Sequence, residues 1–230
     1  MTDRYPDRPD NVWIYYSDSL FALPRFMGSG LYQRGKEMRV PFRFQASEYD
    51  CVPTTLLNAL NYLCDRESVP PIAIQRIFMY CLDTVTSRQG LGHGTSGYAV
   101  KLFANWLNEY QTKNFRIDAR YISGREVHLS QNNLIAQTLN NNGAVALRVK
   151  STGRQWHYIL CLRLDSESLY AFDPYPKRVK NRNYRFEQWL GEQNHNLVIR
   201  REWLDTQANT YPYRLGSYSE REALLLNTIE

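Results

Sequence analysis

The stretch "FQASEYDCVPTTLLNALNYL", residues 44–63, decides the expected fold because it joins a polar segment to a strongly apolar helix. From Pro53 onward, apolar residues recur at steps of three and four, the spacing that gives a helix one buried face. Proline is tolerated in the first helical turn, where its missing N–H costs nothing, so the helix is predicted to begin near Asp50 and Cys51. The pattern therefore delivers a lone cysteine to the start of a helix.

A thiol in that position lies beside unpaired backbone N–H groups and the positive end of the helix dipole, and both favour the thiolate. Acyl transfer also needs a base, a group that orients the base, and donors for the oxyanion. Taken alone, Cys51 is better explained as a small buried hydrophobic residue. The catalytic interpretation therefore depends on finding the other parts in the sequence.

One histidine stands out as a candidate base. Of four histidines, His157 is the one inside a strongly strand-like run, "WHYILCLRL", residues 156–164. A polar ring between Trp156 and Tyr158 in such a strand needs a partner. This need singles out His157 as the candidate general base.

The strand that follows supplies a carboxylate, Asp173, sixteen residues after His157. If the connection "DSE" is a three-residue loop, Leu164 faces Ser168 and Ile159 faces Asp173, which puts Asp173 diagonal to His157 on one sheet face. A two-residue loop would send the two side chains to opposite faces unless a bulge restored them. The predicted register would let the carboxylate orient the imidazole.

The oxyanion donor is expected just ahead of the cysteine. The side-chain NH2 of Gln45, six positions before Cys51, can act together with the backbone N–H of Cys51. Asp50 is interpreted as the helix N-cap, without a chemical role, because its charge would oppose thiolate formation. The candidate site residues in chain order are Gln45, Cys51, His157 and Asp173.

At these residues the sequence resembles the bacteriocin-processing (double-glycine) peptidase family of the papain-like superfamily. The resemblance rests on "QASEYDC", "WHYIL" and "FDP", spans about residues 42–176, and extends to "GTS" at 94–96, which is similar to a turn that begins the second helix of such proteins. It implies a papain-like α+β fold, with the nucleophile helix packed on an antiparallel sheet, and no metal or organic cofactor. The implied roles are nucleophile for Cys51, general base for His157, orienting group for Asp173 and oxyanion donor for Gln45.

Two departures from the family bear on function. Val52 follows the cysteine, where the family usually has glycine or another small residue, so either crowding of the substrate cleft or a re-aimed entrance is expected. The best-known members are fused to ABC transporters, but this chain has no ATPase motif and no run approaching the roughly 18 apolar residues needed to cross a bilayer. A free-standing cytoplasmic peptidase acting on a peptide or protein is therefore expected, with secretion as an effector left open.

The rest of the chain predicts segregated helices and hairpin-linked strands, which indicates an α+β protein with an antiparallel sheet. Further helices are expected at 72–82, from a Thr95 or Ser96 cap through Tyr110, within 130–143, around Phe186 to Leu190, and near Glu220 to Leu226. Further strands are expected at 38–44, 116–122, 144–151, 169–174 and 196–201.

Length and composition fit a single domain, since the chain has 230 residues of which 43% are hydrophobic. The expected divisions are an N-terminal arm over 1–40, a catalytic core over 42–176, and strand and helix additions over 177–230. Four cysteines without CxxC spacing indicate neither a disulfide framework nor a zinc site.

Charge leaves a rival interpretation open. The formal net charge of +5 favours acidic partners only weakly, so a nucleic-acid partner is not expected. The run "KRVKNRNYR", residues 177–185, has five basic residues and is either a solvated loop or a rim for an acidic partner. The alternatives to a peptidase are a non-catalytic module on the same scaffold that binds protein or nucleic acid, and a related acyl-transfer or deamidation enzyme.

Overall fold

A seven-stranded antiparallel sheet with helices on both faces organises this computed structural model. The structure describes residues 41–83, 94–130, 132–151, 156–176, 182–187, 194–208 and 212–229. The predicted N-terminal arm and the first five residues of the basic run lie outside these ranges. None of the helices within the described ranges is long and apolar enough to cross a membrane.

Mixed helices and antiparallel strands confirm the predicted α+β class. The helices are α1 (Cys51–Leu63), α2 (Pro71–Tyr80), α3 (Gly97–Glu109), α4 (Leu134–Asn140) and α5 (Arg201–Leu204). The strands are β1 (Ile117–Ser123), β2 (Ala144–Lys150), β3 (Trp156–Leu164), β4 (Ser168–Phe172), β5 (Tyr184–Phe186), β6 (Leu197–Arg200) and β7 (Glu222–Thr228). The sheet order is β1-β7-β2-β3-β4-β6-β5, with every neighbouring pair antiparallel.

Alternate strand residues build two apolar cores, one on each face of the sheet. The first contains Leu160 of β3 together with Leu56 and Leu60 of α1. The second contains Ile159 of β3 together with Ile135 of α4. Because neighbouring residues of β3 belong to opposite cores, the strand is buried on both faces and α1 is fixed against one of them.

The helix starts follow local signals, as predicted. α1 begins at Cys51 with Pro53 in its first turn. The Ser96 hydroxyl oxygen accepts from the Ala99 N–H at 3.1 Å and caps α3. The predicted helices at 72–82 and within 130–143 are present as α2 and α4.

The predicted terminal helix near Glu220 to Leu226 is wrong, because this segment forms β7 between β1 and β2. Leu224 and Leu226 enter one core, while Ala223 and Leu225 enter the other. A strand buried on both faces carries a continuous apolar run, which periodicity alone does not distinguish from a buried helix. Pairing with two neighbouring strands outweighs the helical preference of leucine and alanine.

Two smaller predictions, the strand at 38–44 and the helix around Phe186 to Leu190, fail at the residues that the structure describes; residues 38–40 lie outside them. Residues 41–44 are irregular rather than extended in a strand, and the Asn58 side chain takes the backbone hydrogen bonds of Arg43 that a strand partner would have taken. Phe186 ends strand β5 and Glu187 is irregular, so the predicted helix does not begin there; residues 188–190 lie outside the described ranges.

The β3–β4 hairpin reaches the predicted register by a different route. Next to the turn, Leu164 faces Leu169 rather than Ser168. A β-bulge then shifts the pairing by one residue, so that Leu160 faces Phe172. That pairing continues into the register predicted for the far end of the hairpin, where β3 starts and β4 ends.

Candidate active site

Two buried polar side chains tie α1 to its surroundings, one to the start of β3 and one to the segment that precedes the helix. The Thr55 hydroxyl donates to the Tyr158 carbonyl oxygen at 3.2 Å. One turn further on, the fully buried Asn58 side chain donates to and accepts from the main chain of Arg43, at 2.9 and 2.8 Å. Both contacts fix the first turns of α1, and with them Cys51, which is 8% exposed.

His157 and Asp173 form a direct buried pair. His157 is the second residue of β3, and Asp173 follows the last residue of β4, so the antiparallel pairing places both at one end of the sheet. His157 Nε2 lies 2.7 Å from Asp173 Oδ1. The Cys51 side chain acts on the same imidazole and contributes to the rise of its pKa. Because Nε2 faces the carboxylate, Nδ1 is the nitrogen left for the thiol.

This arrangement favours the charged form of His157. Burial of the ring opposes the imidazolium, but the Asp173 charge and hydrogen bond, with a smaller effect of Cys51, outweigh it and raise the histidine pKa well above its ordinary value. The ring is 8% exposed and Asp173 is fully buried. A proton on His157 is therefore strongly held while the carboxylate and the sulfur face it.

Besides His157, Asp173 is held by three residues that the sequence did not indicate. Its Oδ1 accepts from the Tyr175 N–H at 2.7 Å, and its Oδ2 accepts from the Tyr213 hydroxyl. The Asn196 side chain accepts from the Asp173 N–H at 2.7 Å and donates to its carbonyl oxygen at 2.9 Å. Tyr213 lies 40 residues away in sequence, and no local motif indicates it.

Gln45 lies next to the Asp173–Pro174 turn, since its backbone N–H donates to the Pro174 carbonyl oxygen at 3.0 Å. Its side-chain Nε2 donates to the Ser47 carbonyl oxygen at 2.6 Å. Its Oε1 is buried and has no hydrogen-bond partner within the described part of the chain. An amide nitrogen carries two hydrogens, so the bond to Ser47 occupies one of them.

Asp50 occupies the predicted N-cap position, but its carboxylate forms hydrogen bonds with the loop before the helix. It accepts from the backbone N–H groups of Ala46 and Ser47 at 2.9 and 2.7 Å, and makes no capping bond to a helix N–H. Partial burial would raise its pKa, but the hydrogen bonds from Ser47 and Ala46 prevail and lower it. Asp50 therefore shapes the loop that carries Gln45.

Val52 does not crowd a cleft. Its side chain is 1% exposed and belongs to the same apolar core as Leu56 and Leu60. The crowding expected from this departure is therefore absent, because the residue after the cysteine points into the protein.

The other three cysteines behave as core residues and are not disulfide-bonded. Burial, with a smaller effect of the Asp65 charge, raises the pKa of Cys64 to about 11. Burial likewise raises the pKa of Cys81 to about 12, against a hydrogen bond from Thr95. Burial alone raises the pKa of Cys161 strongly. These thiols are disfavoured as nucleophiles.

Among the residues that the structure describes, no group of three or more His, Cys, Asp or Glu side chains is placed to hold a metal ion. The fold and site define an α+β protein with a histidine–carboxylate pair and a cysteine at one end of its sheet. No protein-family model matches the chain, and no curated protein matches it.

Proposed function

We propose that this protein is a papain-like cysteine peptidase that cleaves an amide bond in a peptide or protein. One observation carries the proposal: the His157 ring contacts Asp173 at 2.7 Å through Nε2, while its pKa also responds to the Cys51 thiol at the N-terminus of α1. A thiol, a base and an orienting carboxylate from three separate elements are the parts that acyl transfer requires.

In the first step, the Cys51 thiol passes its proton to His157, and the thiolate attacks the carbonyl carbon of the substrate. The positive end of α1 and the imidazolium both stabilise the thiolate. As the tetrahedral intermediate collapses, the C–N bond breaks and the imidazolium gives its proton to the leaving amine. The product is a thioester on Cys51 with a neutral His157.

In the second step, water attacks the thioester carbonyl while His157 takes one proton from that water. The C–S bond then breaks and the carboxylic acid product leaves, losing its remaining proton to solvent, while the proton on His157 restores the thiolate–imidazolium pair. Asp173 stays ionised throughout, holding the ring by its bond to Nε2 and stabilising the imidazolium of each step.

The oxyanion of each tetrahedral intermediate would accept hydrogen bonds from two donors. The backbone N–H of Cys51 lies in the first turn of α1, where N–H groups have no partner within the helix. The second donor is the side-chain amide of Gln45, carried by the loop that Asp50 folds. Removing one such donor typically slows turnover by about 100- to 1,000-fold.

The test is the pH dependence of iodoacetamide labelling, with mass spectrometry locating the modified cysteine. We expect Cys51 to label selectively and at a rate that persists down to about pH 6, because only its thiolate is paired with an imidazolium. In His157→Ala, labelling at that pH should fall roughly 100-fold, since an ordinary thiol is then under about 1% ionised while its greater intrinsic nucleophilicity offsets part of the loss.

A matched control is available in His195→Ala. His195 Nε2 also pairs with a carboxylate, Glu187 Oε2 at 2.9 Å, and its ring packs edge-on against Tyr170. This variant should label like wild type. If Cys51 labels no faster than an unpaired thiol in wild type, or if His157→Ala changes nothing, the peptidase proposal is wrong.

A further inference from the structure

The carboxylate of Asp173 has a second strong partner besides His157. Its Oδ2 accepts from the Tyr213 hydroxyl, while Oδ1 is shared by His157 Nε2 and the Tyr175 N–H. The two oxygens are therefore distinguished, with one turned to the imidazole and the other to the phenol. Tyr213 follows β6 in the chain and belongs to none of the motifs that define the site.

Tyr213 is tightly held for a residue outside a helix or strand. Its side chain is 3% exposed, and its ring packs against those of Tyr184 and Phe186, at centroid distances of 5.0 and 5.9 Å. Its backbone N–H donates to the Lys150 carbonyl oxygen at 2.7 Å, and its φ is +55°. A bulky residue in the left-handed region costs free energy and persists only where the surroundings impose it.

We propose that Tyr213 is a positioning residue of the active site, which fixes the Asp173 carboxylate by bonding its second oxygen and draws part of its negative charge away from His157. The inference rests on the proposed function, since it assigns a role in the same cysteine–histidine–aspartate machinery. The role makes chemical sense because His157 must release its proton to the leaving amine. A histidine that held its proton too tightly would slow that step.

Within the described ranges, the charged and titratable groups placed around this carboxylate come from four segments. They are His157 on β3, Cys51 at the start of α1, Tyr213 itself, and Tyr184 on β5, which lies against Tyr213. Burial and the neighbouring Asp173 charge raise the pKa of Tyr213 well above its ordinary value. The phenol therefore stays protonated as a donor across the working pH range.

The test is an NMR titration of the His157 ring in chains that carry Cys51→Ala, so that the imidazole titrates against Asp173 without a thiol. Tyr213→Phe removes the donor and keeps the ring. Tyr184→Phe is the matched control, because the Tyr184 hydroxyl is buried and has no hydrogen-bond partner within the described ranges. Both variants delete one buried oxygen from the same aromatic cluster.

We expect the titration midpoint of His157 to rise by about half a pH unit to one unit in Tyr213→Phe, since the unshared carboxylate charge then acts on the imidazolium. Tyr184→Phe should leave the midpoint unchanged. No shift in Tyr213→Phe, a downward shift, or an equal shift in both variants would overturn the proposal.

A second variant keeps the test decisive if Tyr213→Phe does not fold. A ring-fluorinated tyrosine placed at position 213 has a more acidic phenol, which donates a stronger hydrogen bond and should move the His157 midpoint downward. An unchanged or raised midpoint there contradicts the role. Because no titration in this series contains the thiol, failure here is separate from failure of Cys51 labelling, which tests the peptidase itself.

Discussion

Replacing Asp173 by asparagine should reverse the way in which His157 makes stability depend on pH. With Asp173 present, the folded pKa of His157 is raised, so the stability it contributes is complete below its unfolded pKa and is lost as pH rises through the folded value. In the Asp173→Asn variant no charge remains beside the buried ring, and burial then lowers the folded pKa. Stability in this variant is therefore lost as pH falls below the unfolded pKa.

The magnitude follows from the separation of the two pKa values. Each pH unit between an unfolded pKa of about 6.5 and the raised folded pKa removes about 1.4 kcal/mol of stability. Between about pH 6.5 and 8.5, the chain with Asp173 should thus lose about 2–3 kcal/mol that the variant does not lose. Both chains must carry Cys51→Ala, because a thiolate–imidazolium pair would otherwise exchange protons within itself and mask the slope.

Urea unfolding followed by tryptophan fluorescence, repeated across this pH range, measures the effect. The buried thiols Cys64, Cys81 and Cys161 also titrate late, but they are common to both chains and cancel in the difference. The unfolding free energy of the chain with Asp173, minus that of the Asp173→Asn variant, should decrease steadily as pH rises. Two curves that run parallel from about pH 6.5 to 8.5 would show that the His157–Asp173 pair does not hold the proton that the reasoning assigns to it.

Two further predictions concern the scaffold of the site, and urea unfolding checks both. Asn58→Ala should lower the unfolding free energy by about 2–3 kcal/mol, because it leaves the N–H and the carbonyl oxygen of Arg43 without their side-chain partner. Asn61→Ala, at a half-buried position on the same helix, should lower it far less. Equal losses of unfolding free energy in the two variants would refute this role of Asn58. Gly97→Ala should destabilise the protein by about 1–3 kcal/mol, because a Cβ there would overlap the Glu222 carboxylate, which the hydroxyls of Tyr121 and Tyr158 hold in place. Helix preference alone predicts the opposite, so a gain in stability would contradict the predicted overlap.

Local sequence signals were sufficient to predict the helices that begin with a capping residue or a proline. The start of α1 at Cys51 and the cap of α3 at Ser96 each depend on a few adjacent residues. The pairing of His157 with Asp173 was also accessible, because a hairpin links the two residues and alternation along its strands limits which side chains meet.

Contacts between segments far apart in the chain could not be predicted from local sequence signals. The sequence pattern predicts a helix where β7 lies. The strand forms instead because it pairs with two strands that end about 70 and 100 residues earlier, which local sequence does not reveal. The β3–β4 bulge lies between Cys161 and Arg163, away from the turn, and the turn sequence does not predict it. Tyr213 and Asn196 reach Asp173 through the fold alone.

The polar segment ahead of Cys51 connects the two halves of the candidate site. Asp50 folds residues 46 and 47 back toward the helix, while the Gln45 N–H bonds the carbonyl oxygen of Pro174. The loop that leads into α1 is therefore bonded to the turn that follows the carboxylate. A change in that loop would move the thiol and the His157–Asp173 pair relative to one another.

The family resemblance covers about residues 42–176, but the structure that supports the site extends further. β7 lies between β1 and β2 in the sheet order, and both Asn196 and Tyr213 bond Asp173 from beyond that span. A fragment ending near residue 176 would keep every motif residue and still leave the carboxylate without its Oδ2 partner. The spacing of the motifs predicts the proposed chemistry, whereas the geometry around Asp173 depends on segments that those motifs do not include.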